Sequence, residues 1–470
     1  MKSELIAEHF NQFAAERESW KQRSRFYHES IRDFAAYHIP KGSSVLDIGC
    51  GLGDLVASLG AKRVVGVDIS DKLIELAQQK YPSCEFRVGD AQDLAVHETF
   101  DFVVLADTIG YLPDVQKAFE EIKKVTTDGT RLIITYYNYL WEPLLKLLER
   151  LGLRMPQPAQ NWLPQQDIEN LLYLAGFEVV KTGNSILFPF DVPFLAPLFN
   201  RFLGRLPWIQ NFCLVEWVIA KPVKRPQIAK DVSCSVIVPC RNERDNIKDA
   251  VLRTPSMGRF TELIFVDGAS TDGTVEEIER LQREYPEKKI RLIKQPDPKG
   301  KYEAVKMGFD AATGDVLMIL DADLTVPPED LPKFFAAHLE GKGEFINGSR
   351  LVYPMEKQAM RFLNLLGNKF FGMAFSYLLG QRFTDTLCGT KVMSKANYEK
   401  IKAGRAYFGD FDPFGDFDLL FGASKLDLKI VELPIRYRDR VYGTTKIRRF
   451  YHGLILLKMC WVAMRKLKFV

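Results

Sequence analysis

The sequence predicts an α/β protein of two domains, each built on an open, mainly parallel sheet, and three observations carry that expectation. A chain of 470 residues is too long for one ordinary core and points to two or three. An apolar run, Ser44-Val-Leu-Asp-Ile48, feeds into Gly49-Cys-Gly-Leu-Gly-Asp54 and then a helix, the strand–turn–helix order of a nucleotide-binding unit. A second run, Val316 to Leu320, delivers Asp321 and Asp323 at its carboxyl end, where open α/β sheets bind ligands.

Composition bounds the classes. With 47% hydrophobic and 26% charged residues the chain is globular rather than disordered, and a net charge of +4 gives no argument for nucleic acid. Basic residues crowd the C-terminal end, among them Arg440, Lys446, Arg465, Lys466 and Lys468. Seven cysteines show neither metal spacing nor a paired framework, which fits a reducing cytoplasm. The start lacks the apolar core of a signal peptide, and no run of about 18 uncharged apolar residues offers a spanning helix.

Taken in order, residues 1–40 read as helices rich in aromatic and charged residues. In the turn that follows, glycines permit positive φ and let the backbone approach a ligand beside a helix N-terminus. Val64-Val-Gly-Val-Asp68 and Phe86-Arg-Val-Gly-Asp90 read as strands ending in acids, Asp68 being placed to bind ribose hydroxyls. A fourth strand, Asp101 to Asp107, leads to Thr-Ile-Gly-Tyr111, with no Asn-Pro-Pro-Tyr element to suggest a nucleobase amine as acceptor. Tyr27, His28, Asp107 and Tyr111 are candidates for positioning an acceptor or taking its proton, and each has an ordinary structural reading beside that one.

A dinucleotide fingerprint wants a third glycine where this chain has Asp54. The pattern here is instead Asp47-x-Gly49-x-Gly51-x-Gly53, with Asp68 and Asp90-Ala91 downstream, and over residues 40–140 it resembles class I S-adenosylmethionine-dependent methyltransferases. The resemblance implies a Rossmann-like domain in which Asp47, Gly49, Gly51 and Gly53 belong to the cofactor turn beside the methionine moiety. Asp68 would bind the ribose, with Asp90 and Ala91 on the adenine side. Residues 140–220, rich in aromatics and prolines, read as the last strands with a lid, or as a surface dipping into a bilayer interface. Lys221 to Asp231 reads as a linker, giving domains at 1–220 and 233–450 around a linker 221–232, with a basic amphipathic helix over 451–470.

The second domain opens with the strand Ser235-Val-Ile-Val-Pro239 before Cys240-Arg-Asn-Glu243. Glu262-Leu-Ile-Phe-Val-Asp267, Gly300-Lys301 and the Asp-Ala-Asp segment follow. Read from the residues, Asp321 and Asp323 suit Mg²⁺ or Mn²⁺ held against a diphosphate, or are a solvated strand end. The order of motifs resembles inverting family-2 glycosyltransferases of the GT-A fold. That resemblance implies that Pro239, Glu243, Asp267, Lys301 and Asp321 bind the nucleotide sugar and that Asp321 and Asp323 hold the metal. One departure is visible: the family's Val-Asp-Asp-Gly-Ser is Val266-Asp-Gly-Ala-Ser270 here.

Asn347-Gly-Ser-Arg350, Asp385 to Lys391, Phe414 to Leu420, Glu432 to Tyr437 and Arg440 to Lys446 look like the polyprenyl-phosphate mannosyl- and glucosyltransferase branch. A lipid phosphate is already ionised and needs cations more than a base, which makes Arg350, Arg440 and Lys446 candidates. For a sugar-hydroxyl acceptor, Asp416 or Asp418 occupies the segment where the family keeps its base. Two apolar helices interrupted by Lys or Arg, 361–379 and 450–464, read as lying in a membrane interface, or as core.

Together these features resemble bacterial fused methyltransferase/glycosyltransferase proteins of envelope-polysaccharide or glycolipid pathways. Both halves are then enzymes, and the chain acts in the cytoplasm, peripherally at the inner membrane face. The alternatives keep only the second half catalytic, with residues 1–220 a binding module, or make the first half nicotinamide-dependent.

Overall fold

The computed structural model describes residues 3–223, 229–296, 300–350, 362–408, 416–435 and 449–469. Arg440 and Lys446 lie outside the described residues, as does the side chain of Asp416. Two compact units divide near residue 223.

In the first unit, helices α1 (Ser3–Phe13), α2 (Arg17–Arg23) and α3 (Arg25–His38) precede β1 (Ser44–Ile48), α4 (Asp54–Ala57), β2 (Arg63–Asp68), α5 (Asp71–Lys80), β3 (Glu85–Val88) and β4 (Phe100–Ala106). Then come α6 (Val115–Lys124), β5 (Thr126–Tyr137), α7 (Glu142–Arg150), α8 (Gln165–Leu174), β6 (Phe177–Ser185), a single turn α9 (Leu195–Pro197) and β7 (Val215–Pro222). The strands order as β3-β2-β1-β4-β5-β7-β6, all parallel except β7. Val45, Leu46, Val65, Val103, Leu105 and Leu132 are buried, the near-continuous apolar signature of strands covered on both faces. Side-chain caps start two helices: Ser70 accepts from the Leu73 amide at α5 and Asp114 from the Lys117 amide at α6. Chain order reverses between β1 and β4, which puts a crevice at their carboxyl ends.

The linker expectation is corrected at its start. Lys221 and Pro222 are the last residues of β7, and Lys221 is buried with its ammonium 3.0 Å from Glu178. A charged Pro-bearing sequence reads as linker because composition does not reveal that β7 pairs along its length with both β5 and β6.

The second unit runs β8 (Cys234–Cys240), α10 (Arg244–Arg253), β9 (Thr261–Asp267), α11 (Thr274–Glu284), β10 (Ile290–Lys294), α12 (Lys301–Ala311), β11 (Val316–Ile319) and α13 (Leu331–Leu339). It continues with β12 (Phe345–Ser349), α14 (Phe362–Leu379), β13 (Lys391–Ser394), α15 (Lys395–Gly404), α16 (Asp416–Lys425), β14 (Ile430–Pro434) and α17 (Arg449–Ala463). Its sheet orders β10-β9-β8-β11-β13-β12-β14, with β13 antiparallel to both neighbours. Helices α14 and α17 pack together, and Phe375, Leu379, Met459 and Ala463 enter the core. Their outer faces keep Met373, Leu454, Leu457 and Trp461 exposed, so each is a core helix with an apolar outer stripe.

Candidate active sites

In the first unit the crevice is a cavity of about 620 Å³, within the range of small-molecule sites. Asp47, Gly49, Gly51, Asp68, Asp90 and Ala91 all line it. Gly53 does not. It stands at the N-cap of α4 with φ +76°, where a Cβ would meet the Phe86 ring at 2.5 Å, so its demand is conformational and steric. Gly51 has φ +53°, and no atom lies within 4 Å of where a Cβ would stand, leaving open space for a ligand against its backbone.

The carboxylates are electrostatically distinct. Asp68 accepts from the Gly51 amide at 2.8 Å and the Ser70 amide at 3.0 Å, and burial pushes its carboxyl up. Asp47 is 2% exposed, and its Oδ1 is buried without a hydrogen-bond partner. Burial and then the charge of Asp68 hold its carboxyl up at about 7. An orphaned acidic oxygen beside a cavity suits a cationic ligand group, and the sulfonium or ammonium of S-adenosylmethionine fits that requirement. Asp90 accepts from the Gln92 amide at 2.9 Å. Against burial, Ser3 and Gln92 hold its carboxyl below the ordinary range.

Apart from Tyr111, the outer wall comes from residues the sequence did not single out as ligand-binding. Phe10 of α1 packs edge-on to Tyr111, Tyr111 donates to Gln157 at 2.6 Å, and Lys21 of α2 pairs with Asp54 at the start of α4. Leu153, Arg154 and Met155 complete that wall. Of residues 140–220, Leu153, Arg154, Met155 and Gln157 are the ones that line the cavity, together with residues of α1 and α2. The aromatic insertion between β6 and β7 does not line the cavity and instead presents Phe194, 89% exposed, and Trp208, 86% exposed, to solvent. Among the acceptor candidates, Tyr27 donates to Asp107 at 2.6 Å, Tyr111 faces the cavity, and His28 is driven down to about 3 by burial and then by Lys21 and Arg17.

In the second unit, Asp321 follows β11 and its Oδ1 lies 2.5 Å from the Lys301 ammonium at the first turn of α12. Burial opposes ionisation, yet Lys301, Lys391 and Arg350 hold the Asp321 carboxyl below its ordinary range. Gly389 lies over its other oxygen so closely that a Cβ would come within 2.0 Å of Oδ2, leaving a cradle there. Asp323 Oδ1 accepts from Thr325 Oγ1 at 2.8 Å. Two such carboxylates fit a divalent cation that draws its remaining ligands from a substrate diphosphate. Among the described residues, no group of three or more His, Cys, Asp or Glu could hold a metal alone.

Around them, Asp267 closes β9 and accepts from the Ser270 hydroxyl at 2.5 Å, while Glu243 precedes α10 and accepts from Asn246 at 2.8 Å. Pro239 is the penultimate residue of β8, directly opposite Val266. Ala269 takes φ +59° at the motif position where the family has glycine. Arg350 is less free than expected: its guanidinium is bound bidentately by the buried Asp385 at 2.7 and 2.8 Å. Glu432 accepts from the Thr384 and Asp385 amides at 2.8 and 3.0 Å, fixing that turn. Asp418 is engaged too. It is 4% exposed and accepts from Arg405 Nε at 2.7 Å, a buried ion pair rather than an open base.

Residues 19–182 match the family model for a methyltransferase domain, and residues 235–401 match that for glycosyl transferase family 2. Dolichol-phosphate mannosyltransferase of Pyrococcus furiosus is 42% identical over 221 residues, covering 46% of this chain and 59% of the relative. The Saccharomyces cerevisiae protein of the same name is 42% identical over 109 residues, covering 22% of this chain and 40% of the relative. The chain thus spans 59% and 40% of those relatives' own lengths. A solved S-adenosylmethionine-dependent methyltransferase of Thermotoga maritima aligns at 18% identity and a TM-score of 0.37, covering 46% of this chain and 99% of its own.

Proposed function

We infer that this chain, which joins a methyltransferase domain to a glycosyl transferase family 2 domain, moves a hexosyl group from a nucleoside-diphosphate sugar to a polyprenyl phosphate and methylates a second acceptor with S-adenosylmethionine. The observation that carries the glycosyl half is the Lys301–Asp321 pair packed under Gly389 at the carboxyl end of β11. The 42% identity to a dolichol-phosphate mannosyltransferase supports the donor and acceptor classes. Lys301 would meet the leaving diphosphate, and Arg350, fixed by Asp385, would hold positive charge beside it. Asp321 and Asp323 would hold Mg²⁺ or Mn²⁺, which would supply neutralisation of charge on the leaving group. The acceptor phosphate is an anion at neutral pH, so attack at the anomeric carbon needs no base. That agrees with Asp418 being tied up in an ion pair.

In the first half, the orphaned Asp47 oxygen and the open space at Gly51 support S-adenosylmethionine over a dinucleotide. Membrane contact is supported within each unit: in the first by the insertion bearing Phe194 and Trp208, in the second by the exposed Leu454, Leu457 and Trp461 ahead of Arg465, Lys466 and Lys468. No helix among the described residues is long and apolar enough to cross a membrane.

The test incubates the intact protein with radiolabelled GDP-mannose or UDP-glucose, polyprenyl phosphate and Mg²⁺ or EDTA. One donor is expected to label the lipid only with the metal. Failure of both donors with Mg²⁺ and Mn²⁺ alike would overturn the glycosyl reading, and failure of the protein to bind S-adenosylmethionine would overturn the methyl one.

A further inference from the structure

The cavity of the first unit extends past the glycine turn to groups that cofactor binding does not use. Val104 pairs in register with Asp47 across β1 and β4, so Asp107 stands three residues beyond that pair, just past the end of β4. Its φ of +57° is a left-handed conformation uncommon outside glycine, and such strain persists where surrounding contacts hold it. Here the Tyr27 hydroxyl donates to Asp107 Oδ2 at 2.6 Å, while among the described residues Oδ1 has a long contact, 3.4 Å, to Thr135 Oγ1. One oxygen is thus fixed and the other left able to take a proton.

Two cations, Arg154 and Arg17, act on this carboxylate. Arg17 from α2 lines the cavity and makes no ion pair among the described residues; its guanidinium contacts Met155 Sδ at 3.6 Å and lies 5.6 Å from the Phe10 ring centre. Arg154 is ion-paired with Glu149 and lies 4.9 Å from the ring centre of Tyr137, which is itself stacked on Tyr27. Both cations act on Asp107, and from β5 Thr135 and Tyr137 complete its surroundings.

We propose that Asp107 is the general base for methyl transfer to a hydroxyl of an anionic acceptor, whose carboxylate or phosphate is held by Arg17, with the Glu149-paired Arg154 beside it. The proposal rests on the first domain being an active methyltransferase. In the step, a lone pair of the acceptor oxygen forms the O–CH₃ bond and the S–CH₃ bond breaks with its electron pair left on sulfur. The O–H proton passes to Asp107 Oδ1 and then to water. Proton affinity singles out Asp107 among its neighbours: burial holds its carboxyl up at about 6, whereas His28 sits at about 3 and burial pushes the hydroxyls of Tyr27, Tyr111 and Tyr137 up. A carboxylate acceptor would need no base and would be repelled by this one.

The experiment uses the intact protein and four probes: glucuronate, glucose 6-phosphate, glucose and glucosamine. Calorimetry on protein saturated with S-adenosylhomocysteine measures binding, and tritiated S-adenosylmethionine measures transfer, with the label tested for stability to mild alkali. Both anionic hexoses are expected to bind and to receive an alkali-stable methyl ether. Transfer should rise with pH up to about 6 and level above it. Arg17→Ala should weaken anionic-hexose binding about tenfold and leave S-adenosylhomocysteine affinity within about threefold. Asp107→Asn should keep both affinities and lose transfer about 100-fold. Tyr27→Phe removes the hydrogen bond that favours the charged carboxylate, so it should move the pH midpoint upward, and it stands in if the Asp107 variant does not fold.

Failure of both anionic hexoses to bind, preference for glucosamine, an alkali-labile product, or binding without transfer each overturns the proposal. So does Arg17→Ala weakening the cofactor product instead of the hexose. A wild-type protein that binds no S-adenosylhomocysteine overturns the methyltransferase reading itself, a separate outcome.

Discussion

Replacing Gly389 with alanine isolates the role of the Asp321 carboxylate. Gly389 does not have the positive φ that would strain an alanine, so the substitution tests space alone. The new Cβ would fall 2.0 Å from Asp321 Oδ2 and 2.7 Å from Lys301 Nζ, and ordinary contact begins at 3.4 Å, so Asp321 must retreat by about 1.4 Å. A displacement of about 1 Å at a reacting centre costs on the order of 100-fold, while overpacking costs about 1–3 kcal/mol of stability. Transfer from the nucleotide sugar to polyprenyl phosphate is therefore expected to fall about 100-fold with a modest loss of thermal stability. Gly404→Ala is the control: no atom lies within 4 Å of its Cβ position, and transfer should be unchanged. The reasoning fails if Gly389→Ala keeps turnover and donor affinity within about threefold of wild type.

Three further outcomes are expected. Because the Asp47 carboxyl sits at about 7 in the fold against an ordinary 3.8, the native state holds its proton over that interval. Its contribution to stability is therefore greatest at low pH and is lost as pH rises through about 7. A cationic ligand reverses that preference, so S-adenosylmethionine affinity by calorimetry should rise toward pH 7 and lose this dependence in Asp47→Asn. Asp418→Asn should lower unfolding stability of the second unit by about 3 kcal/mol, since it leaves Arg405 buried without its partner. A catalytic Asp418 would instead lose transfer with the melting temperature unchanged. Replacing Phe194 and Trp208 together with serine should leave stability unchanged, given their exposure, and cut binding to anionic phospholipid vesicles at least tenfold in a sedimentation assay.

What the sequence made legible is what local patterning controls. Strand ends carrying Asp47, Asp68, Asp321 and Asp323 were readable because an apolar run stops at a carboxylate. The glycine turn was readable because few residue types fit its backbone. Partners contributed from far along the chain were not. Asp418 looks like a base until Arg405, on another element, is seen donating to it. Arg350 looks free until Asp385 is found across from it. Lys221 looks like linker because its burial is decided by strands pairing on both sides. The cavity's outer wall was hidden for the same reason: Phe10 and Lys21 meet Met155 there, which stands more than 100 residues further along the chain.

That wall has a kinetic consequence. The glycine turn is on the sheet, but α1, α2 and the segment 153–157 stand across the cavity, where Ile6, Phe10, Leu52, Leu73 and Met155 pack into one buried cluster beside the Lys21–Asp54 pair and the His9–Pro156 and Asn11–Ser70 hydrogen bonds. Opening that wall exposes a buried apolar cluster as well as breaking polar contacts. Where product release requires that wall to part, steady-state turnover of the first domain is expected to report the opening of its N-terminal helices rather than the speed of methyl transfer.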